Sequence, residues 1–125
     1  MRFEYLAQAA LVLIGVIHIV PGIVACAPGR AVAVYGTELG NRDQELLLRH
    51  RALLLALVGA GVIVGAFFAP IRVAAMTAAA ISLISYLALA GTVGFHELNG
   101  KTKRVAWVDV VALIALAVAA LVFIE

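Results

Sequence analysis

Charged residues are scarce in this sequence, and their scarcity sets the class of protein. Only 13% of the 125 residues are charged, whereas 66% are hydrophobic. A soluble domain of this size cannot bury so much apolar surface, so a soluble globular domain is excluded. The pI near 9.0 does not indicate a nucleic-acid partner. The basic residues cluster at the edges of apolar runs, as orientation signals in membrane proteins do.

Cysteine and the motifs of soluble enzymes are also nearly absent. The single cysteine, Cys26, excludes an internal disulfide and a metal site built from cysteines alone. The sequence contains no nucleophile elbow, no phosphate-binding glycine loop, no HExxH and no CxxC. We therefore expect neither a metal site nor a cofactor.

Long apolar runs are what this sequence has in abundance. They lie near residues 5–26, 44–68, 71–94 and 105–124, and each reaches the roughly 20 residues that span a bilayer. A helix satisfies all its backbone hydrogen bonds within one such segment, and the connections are too short for a soluble domain. The sequence predicts one all-α domain over residues 1–125, an integral membrane bundle of four transmembrane helices.

Basic residues at the ends of the runs predict the orientation. Seven of the nine lie on the side of the first and third connections, and Arg2 and Arg72 lie on the other side. The positive-inside rule then places these connections in the cytoplasm and both termini outside. Residues 25–27 resemble a signal cleavage site, but the preceding run is too long and Glu4 interrupts its basic start. We expect the first span to be retained.

A polar stripe runs along the first span and contains a deep histidine. On a helix, Gln8, Gly15 and His18 fall on one face. At 1.5 Å per residue, His18 lies roughly 12 Å from the cytoplasmic end of its helix, and His50 and Asp109 lie roughly 10 Å from theirs. Ionisable groups within a span are costly, so they usually face the interior and pair. The candidate catalytic residues are therefore His18, His50 and Asp109.

Further polar residues near this level are candidates for ligand binding. Ser82 and Ser85 belong to a seam of small and hydroxyl residues along the third span. An arginine of the second span would hold negative charge, and an aromatic ring would stabilise a cation. The predicted ligand-binding residues are Gln8, Arg49, Arg51, Ser82, Ser85, Tyr86 and Trp107.

Each candidate also has a purely structural interpretation. His18 can satisfy a backbone carbonyl that Pro21 frees, and Asp109 can be stabilised by a helix N-terminus or by an arginine. Arg49 and Arg51 can serve as orientation signals whose charges reach the membrane surface. These alternatives stay open for each residue alone, but costly groups collected at one depth favour a site.

Local signals predict features within the spans. Pro21 predicts a kink near the end of the first span. Asn41 or Asp43 can cap the second span. Gly61 and Gly65 form a small-xxx-small step, and we expect both of them to lie against another helix.

Three segments carry a resemblance to known proteins. LVLIGVIHIVPG in the first span, RHRALLLALVGA in the second and WVDVVAL in the fourth resemble small four-helix bacterial membrane proteins. Some of these are labelled phosphopantetheine adenylyltransferase, but the nucleotidyl-transfer histidine motif of that enzyme is missing here. The layout is also similar to the DoxX-like group, which includes accessory subunits of quinone-linked oxidoreductases. Small multidrug transporters share the length and span count, but Gly15 and His18 stand where their essential glutamate lies.

The leading functional hypothesis is a pocket in the cytoplasmic half of the bundle that binds a small apolar molecule, such as a lipid, quinone or terpenoid. If the protein is an enzyme, a histidine or Asp109 would shuttle a proton in isomerisation, cyclisation or epoxide opening. The alternatives are a non-catalytic DoxX-like subunit, a haem b protein using His18 and His50, and a small transporter. The expected partners are membrane lipid, the hydrophobic ligand, and either further copies of the chain or a membrane complex.

Overall fold

Long helices account for almost all of the structure. The computed structural model describes residues 2–37 and 40–124; it is 92% helix, and no strand occurs in these ranges. Its four spans are Arg2–Cys26, Arg42–Phe67, Ala69–Val93 and Gly100–Ile124, each long and apolar enough to cross a membrane. The prediction of an all-α bundle with four helices suited to a membrane is confirmed.

The first span consists of three consecutive helical pieces. The α-helix Arg2–Ile19 passes into a 3₁₀ turn, Val20–Gly22, and then into the α-helix Ile23–Cys26. The 3₁₀ turn contains Pro21, whose ring and missing N–H disfavour continued α geometry. A second 3₁₀ turn, Pro28–Arg30, leads to a short helix over Ala31–Tyr35, which we call the connecting helix.

A capping box fixes the start of the second span. The Asn41 side chain accepts a hydrogen bond from the Gln44 backbone N–H at 2.9 Å, and the Gln44 side chain accepts one from the Asn41 N–H at 3.2 Å. This reciprocal pair satisfies donors that the first helical turn leaves unpaired. Of the two predicted caps, Asn41 is the one used.

The fourth span begins earlier than the predicted residue 105. The Asn99 side chain accepts a hydrogen bond from the Thr102 N–H at 2.8 Å, so the helix starts at Gly100. The Asn99 amide also donates to the Gly36 carbonyl oxygen at 3.3 Å, which joins the third connection to the first. Lys101, Lys103 and Arg104 therefore belong to the helix, because the Asn99 side chain caps its first turn ahead of them.

Each span packs against its neighbours in the chain, and the fourth also packs against the first. The end of this ring that carries the second connection is called the hairpin end. The opposite end, with the first and third connections, is called the basic end. The main apolar core extends from the middle of the bundle towards the hairpin end and consists of Ala7, Leu11, Ile14, Val62, Ala66, Ala79, Leu83, Ala112, Leu116 and Ala119.

The first and second spans cross closely at two glycines. A Cβ atom built on Gly15 would lie 2.7 Å from the Gly59 carbonyl oxygen, and one built on Gly59 would lie 2.9 Å from the His18 Cβ. The prediction for Gly61 is wrong, since a Cβ there meets nothing within 4 Å, whereas one on Gly65 lies 3.2 Å from a backbone atom of the third span. Two residues correspond to a rotation of about 200° around a helix. Gly61 therefore faces away from the crossing when Gly59 faces it.

Arg72 fastens the hairpin between the second and third spans. Its guanidinium donates to the carbonyl oxygens of Gly65 at 2.8 Å and Ala66 at 3.1 Å. The same group stacks 4.0 Å from the centre of the Phe123 ring. These bonds satisfy carbonyls near the end of the second span and link that end to the fourth span.

Candidate functional site

A cavity of about 930 Å³ lies in the basic half of the bundle. All four spans and the connecting helix contribute to its wall. The lining extends from Leu47 to Val58 on the second span and from Ala78 to Leu89 on the third. At 1.5 Å per residue, each stretch gives the cavity a length of about 16 Å along the bundle. Its volume is within the usual range of small-molecule sites.

His18 lies in the wall of this cavity and is only 4% exposed. Its Nδ1 atom lies 2.9 Å from the Ile14 carbonyl oxygen, one turn earlier in the same helix. A carbonyl oxygen only accepts hydrogen bonds, so Nδ1 carries a proton, and in the neutral ring Nε2 keeps its lone pair. The histidine therefore binds the carbonyl of Ile14 and not that of Ile17, the carbonyl that Pro21 leaves without its usual helical donor. Among the described residues, none makes a hydrogen bond to Nε2.

Asp109 lies in the wall of the same cavity and is 8% exposed. Within residues 2–37 and 40–124, its carboxylate has no hydrogen-bond or salt-bridge partner. Counted from the true start at Gly100, Asp109 lies about 13 Å into its helix, which agrees with the depth of His18 in the first span.

His18 and Asp109 are the only buried polar or charged side chains in the described parts of the chain. The remaining buried side chains are apolar. A buried polar group without a partner costs free energy, and the cost is greater for a charged group. His18 meets this requirement at one ring nitrogen through Ile14. The unpaired atoms of both side chains are accessible from the cavity, because no fully buried side-chain nitrogen or oxygen in the described chain lacks a hydrogen-bond partner.

The second span supplies His50 and Arg51 to the cavity wall. His50 is exposed, whereas Arg51 is half-buried. The Arg51 guanidinium carbon lies 5.5 Å from the centre of the Tyr86 ring, within the range of a cation–π contact. The Tyr86 hydroxyl donates to the Thr102 carbonyl oxygen at 3.3 Å, which joins the third and fourth spans beside the cavity.

Ser82 and Ser85 also line the cavity, as parts of the third span. The Ser85 hydroxyl donates to the Ser82 carbonyl oxygen at 3.1 Å, so its proton is used within the helix. Such back-bonding satisfies a hydroxyl donor without a second chain. Ser85 can therefore contact a ligand through its oxygen lone pairs, whereas the Ser82 hydroxyl can both donate and accept.

Three of the predicted ligand-binding residues are outside the cavity lining. Gln8 is half-buried in the hairpin half, and Trp107 is 64% exposed. Arg49 donates to the Ala25 carbonyl oxygen at 3.0 Å and pairs with Glu45 at 3.4 Å. It therefore binds a carbonyl at the end of the first span, a structural role that the sequence interpretation did not include.

Two cationic residues of the cavity lining were not among the predicted site residues. Lys101 and Arg104 lie on the cavity wall from the first two turns of the fourth span. The sequence interpretation placed them in a turn, because it started this helix at residue 105. With the helix starting at Gly100, the spacing of 101, 104, 105, 108 and 109 puts all five positions on one face. That spacing was the available signal.

In the described ranges, no group of three or more His, Cys, Asp or Glu side chains could hold a metal ion. His18 and His50 do line the same cavity, from the first and second spans. Comparison with protein-family models, with curated proteins and with solved structures finds no match to this chain.

Proposed function

We propose that this protein binds a small, largely apolar molecule in the cavity, and that His18 and Asp109 carry out acid–base chemistry on it. The supporting observation is that the two buried polar side chains of the described chain both line this one cavity. Ionisable residues inside a membrane span are expensive and usually mark a functional site. A bound molecule would supply the partners that His18 Nε2 and the Asp109 carboxylate lack within the described chain.

Apolar residues at the edge of the cavity favour entry of the ligand from the bilayer. Leu47 and Leu54 on the second span line the cavity and are 68% and 47% exposed. Ile81 and Leu89 on the third span also line it, and both are 63% exposed. The two spans pack closely at the hairpin end, near Gly65. An apolar molecule could therefore enter between them towards the basic end without crossing water.

The excess of basic residues at the basic end supports a location in the cytoplasmic leaflet. Seven of the nine lysines and arginines belong to that side of the sequence. Together with the resemblance of three segments to small bacterial membrane proteins, this asymmetry favours the inner membrane of a bacterium. The ligand would then be drawn from the cytoplasmic leaflet.

The two side chains would have different roles in proton transfer. His18 Nε2 is the proton acceptor, because the bond from Nδ1 to Ile14 holds the ring in one tautomer and orientation. Asp109 either returns a proton to the ligand or stabilises the imidazolium that forms. Isomerisation and cyclisation need only such transfers, whereas epoxide opening also needs water or a group of the ligand to attack the ring carbon while the oxygen takes the proton. Each of these reactions is compatible with an apolar substrate.

Native mass spectrometry of the protein, purified in mild detergent, tests the binding proposal. We expect a small molecule that stays bound to the chain, or to a homo-oligomer of it, after the detergent is removed in the gas phase. A different polypeptide bound without any small molecule would instead support the accessory-subunit alternative. A visible absorption band after haem-replete expression would support the haem alternative, and a colourless protein would exclude it.

Substitutions then test the chemistry once the retained molecule is identified. His18→Gln and Asp109→Asn should keep the fold and the bound molecule but remove turnover, since neither amide transfers protons near neutral pH. His96→Gln is the matched control, because His96 is exposed and outside the cavity lining. Full turnover in both His18→Gln and Asp109→Asn would show that acid–base chemistry by this pair is wrong.

A further inference from the structure

The charges on the cavity wall are unequal. Among the described lining residues, Arg51, Lys101 and Arg104 are cationic, and Asp109 is the only carboxylate. Basic residues at this end also serve as orientation signals, but that role needs no position on a cavity wall. An excess of positive charge on the wall favours a ligand that brings negative charge.

The cations of the fourth span lie nearer the basic end than the carboxylate. Arg104 precedes Asp109 by five residues, or about 7 Å along the helix, and Lys101 lies a further turn out. Lys101 Nζ donates to the carbonyl oxygens of Ala33 at 2.9 Å and Val32 at 3.3 Å. These bonds hold its ammonium group against the connecting helix, whose Ala33 also lines the cavity. The cations therefore mark the outer end of the cavity.

Arg104 combines a place on the cavity wall with the lack of a partner, whereas Arg30 also has no side-chain partner in the described chain but lies outside the cavity lining. Arg104 is exposed, it lines the cavity, and it has no hydrogen-bond or ion-pair partner within residues 2–37 and 40–124. Arg42 and Arg49, by contrast, both pair with Glu45. A guanidinium group presents several donors in a plane that match the oxygens of a carboxylate or a phosphate.

The inner end of the cavity has the opposite character. Towards the hairpin end its wall consists of aliphatic side chains, including Leu54, Val58, Ala78 and Ile81. His18 and Asp109 lie between this apolar end and the cationic end, at about 12–13 Å from the ends of their helices. Along its length the cavity therefore changes from cationic, through the acid–base pair, to apolar.

We infer that the ligand is an anionic amphiphile: a single apolar chain with a carboxylate or phosphate head group bound by Lys101 and Arg104. This inference rests on the proposed function, because it assigns the chemical class of the molecule in the same cavity. The head group lies at the basic end, and the chain passes His18 and Asp109 towards the aliphatic end. The chemistry then acts on the chain several carbons from the head group.

Photolabelling with matched probes tests the inference. The protein is reconstituted in phosphatidylcholine nanodiscs at pH 8, where both acidic probes are ionised. Three probes carry a diazirine on the same sixteen-carbon chain and differ only in the head group: a fatty alcohol, a fatty acid and an alkyl phosphate. Labelled cavity peptides are quantified by mass spectrometry. We expect at least one anionic probe to label them about tenfold more than the alcohol, which corresponds to about 1.4 kcal/mol. The fatty acid and the alkyl phosphate together show which anionic head group is preferred.

A pair of double variants identifies the cause of any preference. Lys101→Gln with Arg104→Gln should reduce the anionic preference to near parity. Arg30→Gln with Arg42→Gln removes two cations from the same end but outside the cavity lining, and should preserve the preference. Unfolding midpoints in detergent confirm that both double variants are folded. If the first double variant does not fold, Arg104→Gln alone should still lower the preference severalfold, since Arg104 makes no bond to the described chain.

The outcomes separate this inference from the proposed function. Equal labelling of the cavity peptides by the alcohol and both anionic probes would overturn the anionic head group but keep the apolar pocket. An anionic preference that persists in the Lys101 and Arg104 variant would also overturn the inference. If no probe labels the cavity peptides above the level of lipid-facing peptides, the proposed function itself is wrong.

Discussion

The crossing of Gly15 and Gly59 gives the sharpest test of the packing, because the chain contains its own control two residues away. In Gly59→Ala, the new methyl group would lie 2.8 Å from Ile19 Cγ1 and 2.9 Å from the His18 Cβ, and closer still to the Gly15 carbonyl oxygen. Part of this contact is with backbone, which cannot rotate away. The first and second spans must therefore move apart.

The expected magnitude follows from overpacking. Inserting a methyl group into a close contact costs about 1–3 kcal/mol, and the small gain in helix propensity does not offset it. In Gly61→Ala the methyl group enters open space, so this variant should be neutral or up to about 1 kcal/mol more stable. The two variants have the same composition, and they differ only in the face of the helix that carries the methyl group.

Unfolding by sodium dodecyl sulfate from dodecyl maltoside micelles, followed by circular dichroism, measures both variants. The Gly59→Ala midpoint should fall clearly below that of the wild type, and the Gly61→Ala midpoint should not. Equal midpoints for the two variants would refute the crossing, since a face exposed to lipid would tolerate either methyl group. Loss of stability in Gly61→Ala alone would assign the contact to the opposite face.

Three further predictions concern other parts of the bundle. Arg72→Gln removes the guanidinium bonds to Gly65 and Ala66 and should destabilise the hairpin by about 1–3 kcal/mol, measured in the same unfolding assay. Ala78→Phe should fill the aliphatic end of the cavity and lower the amount of retained ligand in native mass spectra, whereas Ala74→Phe, outside the lining, should not. Of two reporters fused to the C-terminus, the one that works only in the periplasm should be active. Activity of a reporter that works only in the cytoplasm would show that the predicted orientation is wrong.

The sequence was sufficient to predict the spans, because composition and run length alone determine which segments suit a bilayer. The structure confirms four such helices. Their ends were harder to predict. The fourth span starts at Gly100 because Asn99 caps it, and a cap depends on one side-chain hydrogen bond that an apolar-run criterion does not detect.

Depth and helical face predicted part of the candidate site. Seven of the ten predicted site residues line the cavity, including His18, His50 and Asp109. Arg49 does not, because its side chain binds the Ala25 carbonyl, and only the fold brings that carbonyl within reach. Lys101 and Arg104 were missed because the predicted fourth span began at residue 105. The helix begins at Gly100, and this places both residues on the face that carries Asp109.

The bundle stays open at the cavity, and the two crossing glycines lie beside this opening. The inward positions of the hairpin half are alanine, leucine, isoleucine and valine, and they close into a core. In the basic half the wall includes His18, Arg51 and Asp109, and these side chains lose solvation if the helices close on them. The spans are meanwhile held together beside the cavity, where the first and second cross at the two glycines and the third and fourth join through the Tyr86 hydroxyl. A cavity fixed in this way loses little conformational freedom when it binds. Its histidine lies at the crossing of the two glycines, since a Cβ atom built on Gly59 would lie 2.9 Å from the His18 Cβ. Gly59→Ala should therefore alter the position of His18 as well as stability, and ligand retention should fall with the unfolding midpoint.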